Sequence, residues 1–412
     1  MSSKFQISWL AVAALAIISS QLLSVRSLKL IGPEPGIQQI IEVDLSDNFD
    51  DEGDEVSEAG EDDNSVGTSS GGRFETDAIL NYAAATAAIL DSGNSTNLIV
   101  NDTGINNNVI EEEVVLNERP IIGILSQEPG RKMRRALEEN NLTYTSYIAA
   151  SYVKSVEGAG ARAVPILINQ PDEYYKKLVR SLNGIVFPGG SASITNTSGY
   201  GRAGDLLYQL IMEANENGTV TPLWATCLGF EMLVYLAADR VRPLTLCKAQ
   251  NKADPLYFSP GWESSQLWKD ASSKLKSDVQ KKNLTSNFHK YCVITETFNE
   301  LKVNENYDLL STSFDFDNLE YISTIEHKHF PIFGTQWHPE KNPYEWKFST
   351  IPHSPEAIKL EHYVMEVFVG KARLNHNSFT SEAEAESYLI YNYSPIYIRQ
   401  LYKSSFQQCY FF

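Results

Sequence analysis

From residue 119 onward the chain alternates short, uniformly apolar runs with longer stretches of helical periodicity. "PIIGIL" (120–125) is a β-branched run without a polar face, the pattern of a strand buried on both sides. "YIAASYVKSVEGAG" (147–160) predicts a helix stopped by Gly, and "RAVPILI" (162–168) a second strand. "PDEYYKKLVRSL" (171–182) opens with Pro and acids, as helices do, and "GIVFPGG" (184–190) reads as a strand ending in a Gly-rich turn. "AGDLLYQLIMEANENG" (203–218) is a helix closed by Gly, "TPLWAT" (221–226) a strand, and helical spacing resumes at Leu228. This order predicts an α/β fold, a parallel sheet with helices on both faces, whose ligands gather at the carboxyl ends of the strands. Residues 240–320 are more polar and less regular. "LEYISTIEH" (319–327) and "FPIFGTQW" (330–337) then read as adjacent strands, and "SPEAIKLEHYVMEVFVGKAR" (354–373) as a helix behind a Ser cap. The last forty residues show little periodicity and are expected to drape over the domain.

The N-terminal pattern differs. Lys4 precedes an apolar run from Ile7 to Ile18 that Ser19, Ser20 and Gln21 break. Such a run is too short to span a bilayer and suits a secretory signal, cleaved between Ser20 and Ser27. The chain thus divides into a signal (1–27), an acidic leader (28–117), a catalytic domain (118–373) and a C-terminal extension packed on it (374–412). The leader holds 20 Asp/Glu against 2 Lys/Arg, whereas residues 118–412 hold 32 against 30. The net charge of -18 therefore belongs to the leader, whose composition predicts disorder, and the domain has no basic excess for nucleic acid. No membrane anchor is expected once the signal is removed. Asn-x-Ser/Thr sequons at Asn94, Asn101, Asn141, Asn196, Asn217, Asn283 and Asn392 fit a glycoprotein of the extracellular space or of the lysosomal or vacuolar lumen.

Cys227 follows an apolar strand and precedes a helix, in "ATCLG" (225–229). A nucleophile on such a turn needs small neighbours, and the helix N-terminus is expected to lower its thiol pKa. A cysteine nucleophile needs an imidazole partner. Of seven histidines, His338 alone directly follows an apolar strand, with Glu340 two residues on as a third member. "PGGS" (188–191) puts Gly189 and Gly190 after another strand, where amides can approach an oxyanion. Cys247, Cys292 and Cys409 complete the cysteines. If Cys227 stays a thiol, at most one intrachain bridge can form, and the sequence leaves its pair open.

In order, "FPGGS", "WATCLGFE", "NFHKY" and "TQWHPEKNPYEW" closely resemble the gamma-glutamyl hydrolases, lysosomal and secreted peptidases that trim poly-γ-glutamate from folates. The resemblance runs from residue 120 to the terminal "SSFQQCYFF". It implies the class I glutamine amidotransferase-like fold, with a flavodoxin-like sheet. It also implies Cys227 as nucleophile, His338 as base, the amides of Gly190 and Leu228 as oxyanion donors, and His289, Gly189 and Ser191 beside the substrate. Glu231 matches a family acid that could meet the substrate's α-ammonium, and Ala225 stands where the family usually has Gly. No cofactor and no metal are implied, and no Cys/His spacing resembles a zinc site. A homodimer is implied by the family alone. A polyanionic folate tail calls for basic residues at the cleft, for which Arg131, Lys132, Lys154 and Lys252 are the candidates. The alternatives are a glutamine amidotransferase, which would need a partner to receive ammonia, and an inactive secreted glycoprotein of the same fold.

Overall fold

Strands β1 (Ser27–Ile31), β2 (Ile40–Asp44) and β3 (Asn97–Val100) pair antiparallel in the order β2-β1-β3. They belong to a unit spanning 1–113, separate from a second unit spanning 114–412. The computed structural model describes these three strands and residues 115–400 and 404–412. The apolar run read as a signal lies outside the described residues, as do Asn94 and Asn101. The strand sequences "SLKLI", "IIEVD" and "NLIV" are the apolar runs of a stretch that is otherwise rich in Asp, Glu, Asn, Gly and Ser.

The second unit contains, in chain order, β4 (Ile121–Leu125), β5 (Tyr147–Ala149), β6 (Arg162–Ile166), β7 (Gly184–Phe187), β8 (Leu223–Thr226), β9 (Thr245–Asp254), β10 (Tyr257–Phe258), β11 (Thr285–Cys292), β12 (Tyr307–Phe314), β13 (Glu320–His327), β14 (Ile332–Thr335), β15 (Ile396–Tyr397) and β16 (Gln408–Phe411). Eight of them form one sheet, β10-β12-β13-β14-β8-β7-β4-β6. Its five strands β6-β4-β7-β8-β14 are parallel. Their spatial order, second-first-third-fourth-fifth, is that of the flavodoxin-like sheets. Antiparallel strands β13, β12 and β10 extend the far edge.

Alternating side chains of the parallel strands feed two cores. Ile122, Ile124, Val186, Trp224 and Phe333 face helices Ala150–Gly158, Ser273–Lys281 and Pro355–Ala372. Ile121, Leu125, Ile185, Phe187, Leu223 and Ile332 face helices Asp172–Ser181, Gly199–Glu216 and Leu228–Ala237. Each fully buried aliphatic or aromatic side chain contributes about 1.5–3 kcal/mol. Burial on both faces explains why these strands read as unbroken apolar runs. Ser354 caps the last long helix by accepting from the Ala357 amide.

Two expectations change. Tyr147–Ala149 does not begin a helix but forms β5, because the C-terminal strand β16 pairs with it and supplies its ladder. The last residues therefore add a β15-β16-β5 sheet rather than drape over the surface. The irregular middle contains an antiparallel pair, β9 and β11, tied by a Cys247–Cys292 disulfide. Cys227 and Cys409 are buried free thiols, so the chain carries the single bridge that the cysteine count permits.

Candidate active site

Cys227 stands between β8 and helix Leu228–Ala237 with φ 50° and ψ -104°, a region hostile to any side chain with a Cβ. The surroundings enforce it. Its amide donates to the Thr335 carbonyl of β14 at 2.8 Å, and its own carbonyl accepts from the Glu231 amide at 2.8 Å. Gly229 lets the helix begin against β7, since a Cβ there would lie 2.0 Å from the Phe187 carbonyl oxygen. Ala225 lies within β8 opposite Phe187 and Gly334, and is not among the positive-φ residues. The turn falls on Cys227, so alanine fits where the resembled family has glycine.

His338 follows β14, its amide held by the Ser286 carbonyl of β11 at 2.9 Å. Its Nδ1 lies 2.7 Å from Glu340 Oε1. A carboxylate only accepts there, so Nδ1 carries the ring proton and Nε2 keeps a free electron pair. Gly189 brings the two residues together. A Cβ at that position would sit 2.7 Å from His338 Cε1, 2.8 Å from the Tyr152 hydroxyl and 3.1 Å from Cys227 Cβ. Only a glycine leaves that space open. The Tyr152 hydroxyl accepts from the Gly189 amide at 2.8 Å, and Gln127 donates through Nε2 to the Gly189 carbonyl at 2.9 Å. The Ser191 amide returns a bond to Gln127 Oε1 at 3.1 Å. Tyr152 and Gln127 thus fix the turn. Sequence reasoning missed both, because neither stands in a motif and only the fold brings them to it.

A cleft of about 420 Å³ opens over this point, lined by Gly190, Ser191, Cys227, Leu228, Glu231 and His289 together with residues of β9 and β11. Among the described residues the Gly190 amide has no hydrogen-bond partner, and the Leu228 amide reaches the Cys227 sulfur. Burial pushes the Cys227 thiol well up, reinforced by Glu231, and outweighs the lowering by Lys341 and by the Leu228 amide. The expected lowering by the helix N-terminus is present but loses to desolvation. Burial also holds His338 below the usual histidine range, partly offset by Glu340. Both shifts favour the uncharged forms of thiol and imidazole, a pair in which the base takes the proton as the sulfur attacks. Glu340 is pulled up by burial but comes out below the usual range, because His338 and Lys341 favour its charge.

Glu231 is buried, with Gln336 Nε2 donating to its Oε1 at 3.3 Å. Desolvation lifts its carboxyl to about 8, against Gln336 and Arg242. His289 lines the cleft, and burial, then His338, depress it to about 3. The proposed basic residues lie elsewhere. Lys252 pairs with Asp254 at 2.6 Å and Lys154 donates to Gln408 at 2.7 Å, while Arg131 and Lys132 are exposed on helix Arg131–Glu139. The cations that line the cleft are Arg242, which also lies over the Tyr291 ring at 5.5 Å, and Lys290. Sequence reasoning assigned neither: Lys290 stands on β11 inside "NFHKY", where only His289 was singled out, and Arg242 lies in the segment just before β9, outside any motif. All five described sequon asparagines, Asn141, Asn196, Asn217, Asn283 and Asn392, are exposed. No helix among the described residues is long and apolar enough to cross a membrane.

Residues 120–340 match the family model described as Peptidase C26. The chain is 42% identical over 298 residues to gamma-glutamyl hydrolase of Homo sapiens, covering 72% of this chain and 90% of that one. It is 36% identical over 284 residues to gamma-glutamyl hydrolase B of Dictyostelium discoideum, covering 68% and 80%. Among solved structures it is similar to PurLQS from Thermotoga maritima, with a TM-score of 0.33 and 14% identity over 61% of this chain and 98% of that one.

Proposed function

From a chain that belongs to the peptidase C26 family, we propose a gamma-glutamyl hydrolase in which Cys227 and His338 cleave poly-γ-glutamate through a thioester. The protein is a hydrolase of gamma-glutamyl bonds. One observation carries the assignment of residues: the strained Cys227, the neutral His338 and the amides of Gly190 and Leu228 converge around the space that Gly189 leaves open. His338 Nε2 takes the thiol proton as sulfur attacks the γ-carbonyl carbon. The oxyanion accepts from the two amides. His338 then protonates the departing α-amine, the C–N bond breaks, and a γ-glutamyl thioester remains. Water, deprotonated by the same imidazole, hydrolyses it to a γ-carboxylate and restores the thiol. Glu340 holds His338 in the required tautomer.

Arg242 and Lys290 supply charge for the substrate's α-carboxylates, and Glu231 faces its ammonium or amide nitrogen. Ser191, next to the oxyanion turn, borders the same cleft. The substrate class is a folate bearing a γ-glutamyl tail, no cofactor takes part, and the chain acts as a homodimer. The early apolar run and the exposed sequons support a secreted glycoprotein of the extracellular space or of the lysosomal or vacuolar lumen.

The test is product analysis on a ladder of pteroyl-γ-glutamates, wild type beside Cys227→Ala. The wild type shortens the tail. Loss of a covalent nucleophile removes orders of magnitude of rate, so a variant keeping more than about 1% of the activity overturns its role. Glutamine, tested in parallel, should release no ammonia at a comparable rate.

A further inference from the structure

The disulfide between Cys247 of β9 and Cys292 of β11 has a third polar neighbour. His289 Nδ1 lies 3.6 Å from Cys247 Sγ and 3.4 Å from Cys292 Sγ, and all three residues are buried. Two ligands on one tetrahedral zinc ion, with bonds of about 2.3 Å to sulfur and 2.0–2.1 Å to nitrogen, stand about 3.6 Å apart. The imidazole is therefore already where a third ligand beside two thiolates would be. Cys247 precedes His289 by 42 residues, which is why no spacing along the chain reveals the group.

The ring's hydrogen bonds point the same way. His289 Nε2 is 3.3 Å from Asn287 Oδ1, and Nδ1 is 3.0 Å from the Tyr291 carbonyl oxygen. The Asn287 amide nitrogen is occupied by the Thr285 carbonyl at 3.3 Å, so its oxygen must face the imidazole. Both ring nitrogens thus meet acceptors, while a neutral imidazole has one proton to give. A cation at Nδ1 resolves the conflict. It takes the electron pair of Nδ1, has the Tyr291 carbonyl beside it, and leaves Nε2–H on Asn287, the arrangement usual for metal-bound histidine.

We propose that, once the disulfide is reduced, Cys247, Cys292 and His289 Nδ1 bind a thiophilic divalent cation of the Zn²⁺ class, which ties β9 to β11 in place of the disulfide. With a phosphine as reductant, phosphorus gives two electrons to the S–S bond and takes the oxygen of one water, whose two protons go to the sulfurs. The cation then displaces those two protons. The β11 wall of the cleft stays clamped in either state.

The test uses full-length Cys227→Ser protein, so that the thiol at the cleft does not compete, reduced with a phosphine and titrated anaerobically with Co²⁺. The expected result is one Co²⁺ per chain with tetrahedral d–d bands and thiolate charge transfer, all displaced by Zn²⁺. Reduction lowers the melting temperature and Zn²⁺ restores it. Asn287→Ala weakens Co²⁺ binding by about 10–100-fold. Absent charge-transfer bands, bands equally strong in the unreduced protein or in Cys292→Ser, or unchanged Co²⁺ affinity in Asn287→Ala overturns the site. The unreduced control needs no folding variant.

Discussion

The two walls of the cleft are built on different principles. One lies just past the carboxyl ends of β7 and β8, parallel strands buried on both faces, where Gly190 and Cys227 occupy the turns and Leu228 opens the following helix. The other is the β9–β11 pair, whose register slips between Asn287 and Phe288 and between His289 and Tyr291, and which carries Gln250, Phe288 and Lys290. The first wall offers amides and a thiol out of water, held by a ladder that cannot move without unmaking the core. The second offers long polar and aromatic side chains on a half-exposed pair. Bond-breaking requires the first kind of surface and recognition of a charged tail the second, so rate should depend on one wall and affinity on the other.

The largest break in that division should come from His338→Ala, which removes the base and lowers kcat by about 10³-fold or more with KM little changed, read by steady-state kinetics. An intact kcat would move the chemistry off this wall. Next comes Gly189→Ala, whose methyl would meet His338, Tyr152 and Cys227 at once. Displacing reacting groups by about 1 Å costs roughly 10²-fold, so kcat should fall by that much while circular dichroism stays native. On the opposite wall, Arg242→Ala should raise KM about tenfold for a polyglutamate, with kcat within twofold, and the effect should shrink as salt rises. A drop in kcat instead would mean the walls are not separable. The smallest effect is expected from Glu340→Gln. His338 titrates below its ordinary value because burial disfavours its charge, and Glu340 pulls it partly back up. Activity requires the neutral ring, so kcat/KM falls only as pH drops through that low value. Without the carboxylate the acid limb should move lower still, and a shift upward would contradict the geometry.

The same contrast governs what the sequence discloses. The parallel half was readable because burial on both faces leaves one pattern, an apolar run of β-branched residues, and because Cys227, His338 and "PGG" all fall where such runs end. Of the other wall only "NFHKY" with His289 was legible, and that through family resemblance, because half-exposed strands with bulges have no single period, and Arg242 and Lys290 look like any surface cations. Lys252 illustrates the failure: its charge suits a folate tail, but Asp254 holds it. Tyr147–Ala149 misled in another way, since a partner more than 250 residues away decides that it is a strand.

The backbone at Cys227 has a consequence for how the protein can change. A Cβ held at φ 50° and ψ -104° stores about 1–3 kcal/mol that glycine would release. Cys227→Gly and Cys227→Ala are both without a thiol, and only the glycine variant sheds the strain. It should therefore melt several degrees higher than the alanine variant. Selection for heat resistance alone would drift toward the glycine and extinguish the enzyme. The strain at Cys227 is what it costs this fold to present a thiol at the end of β8.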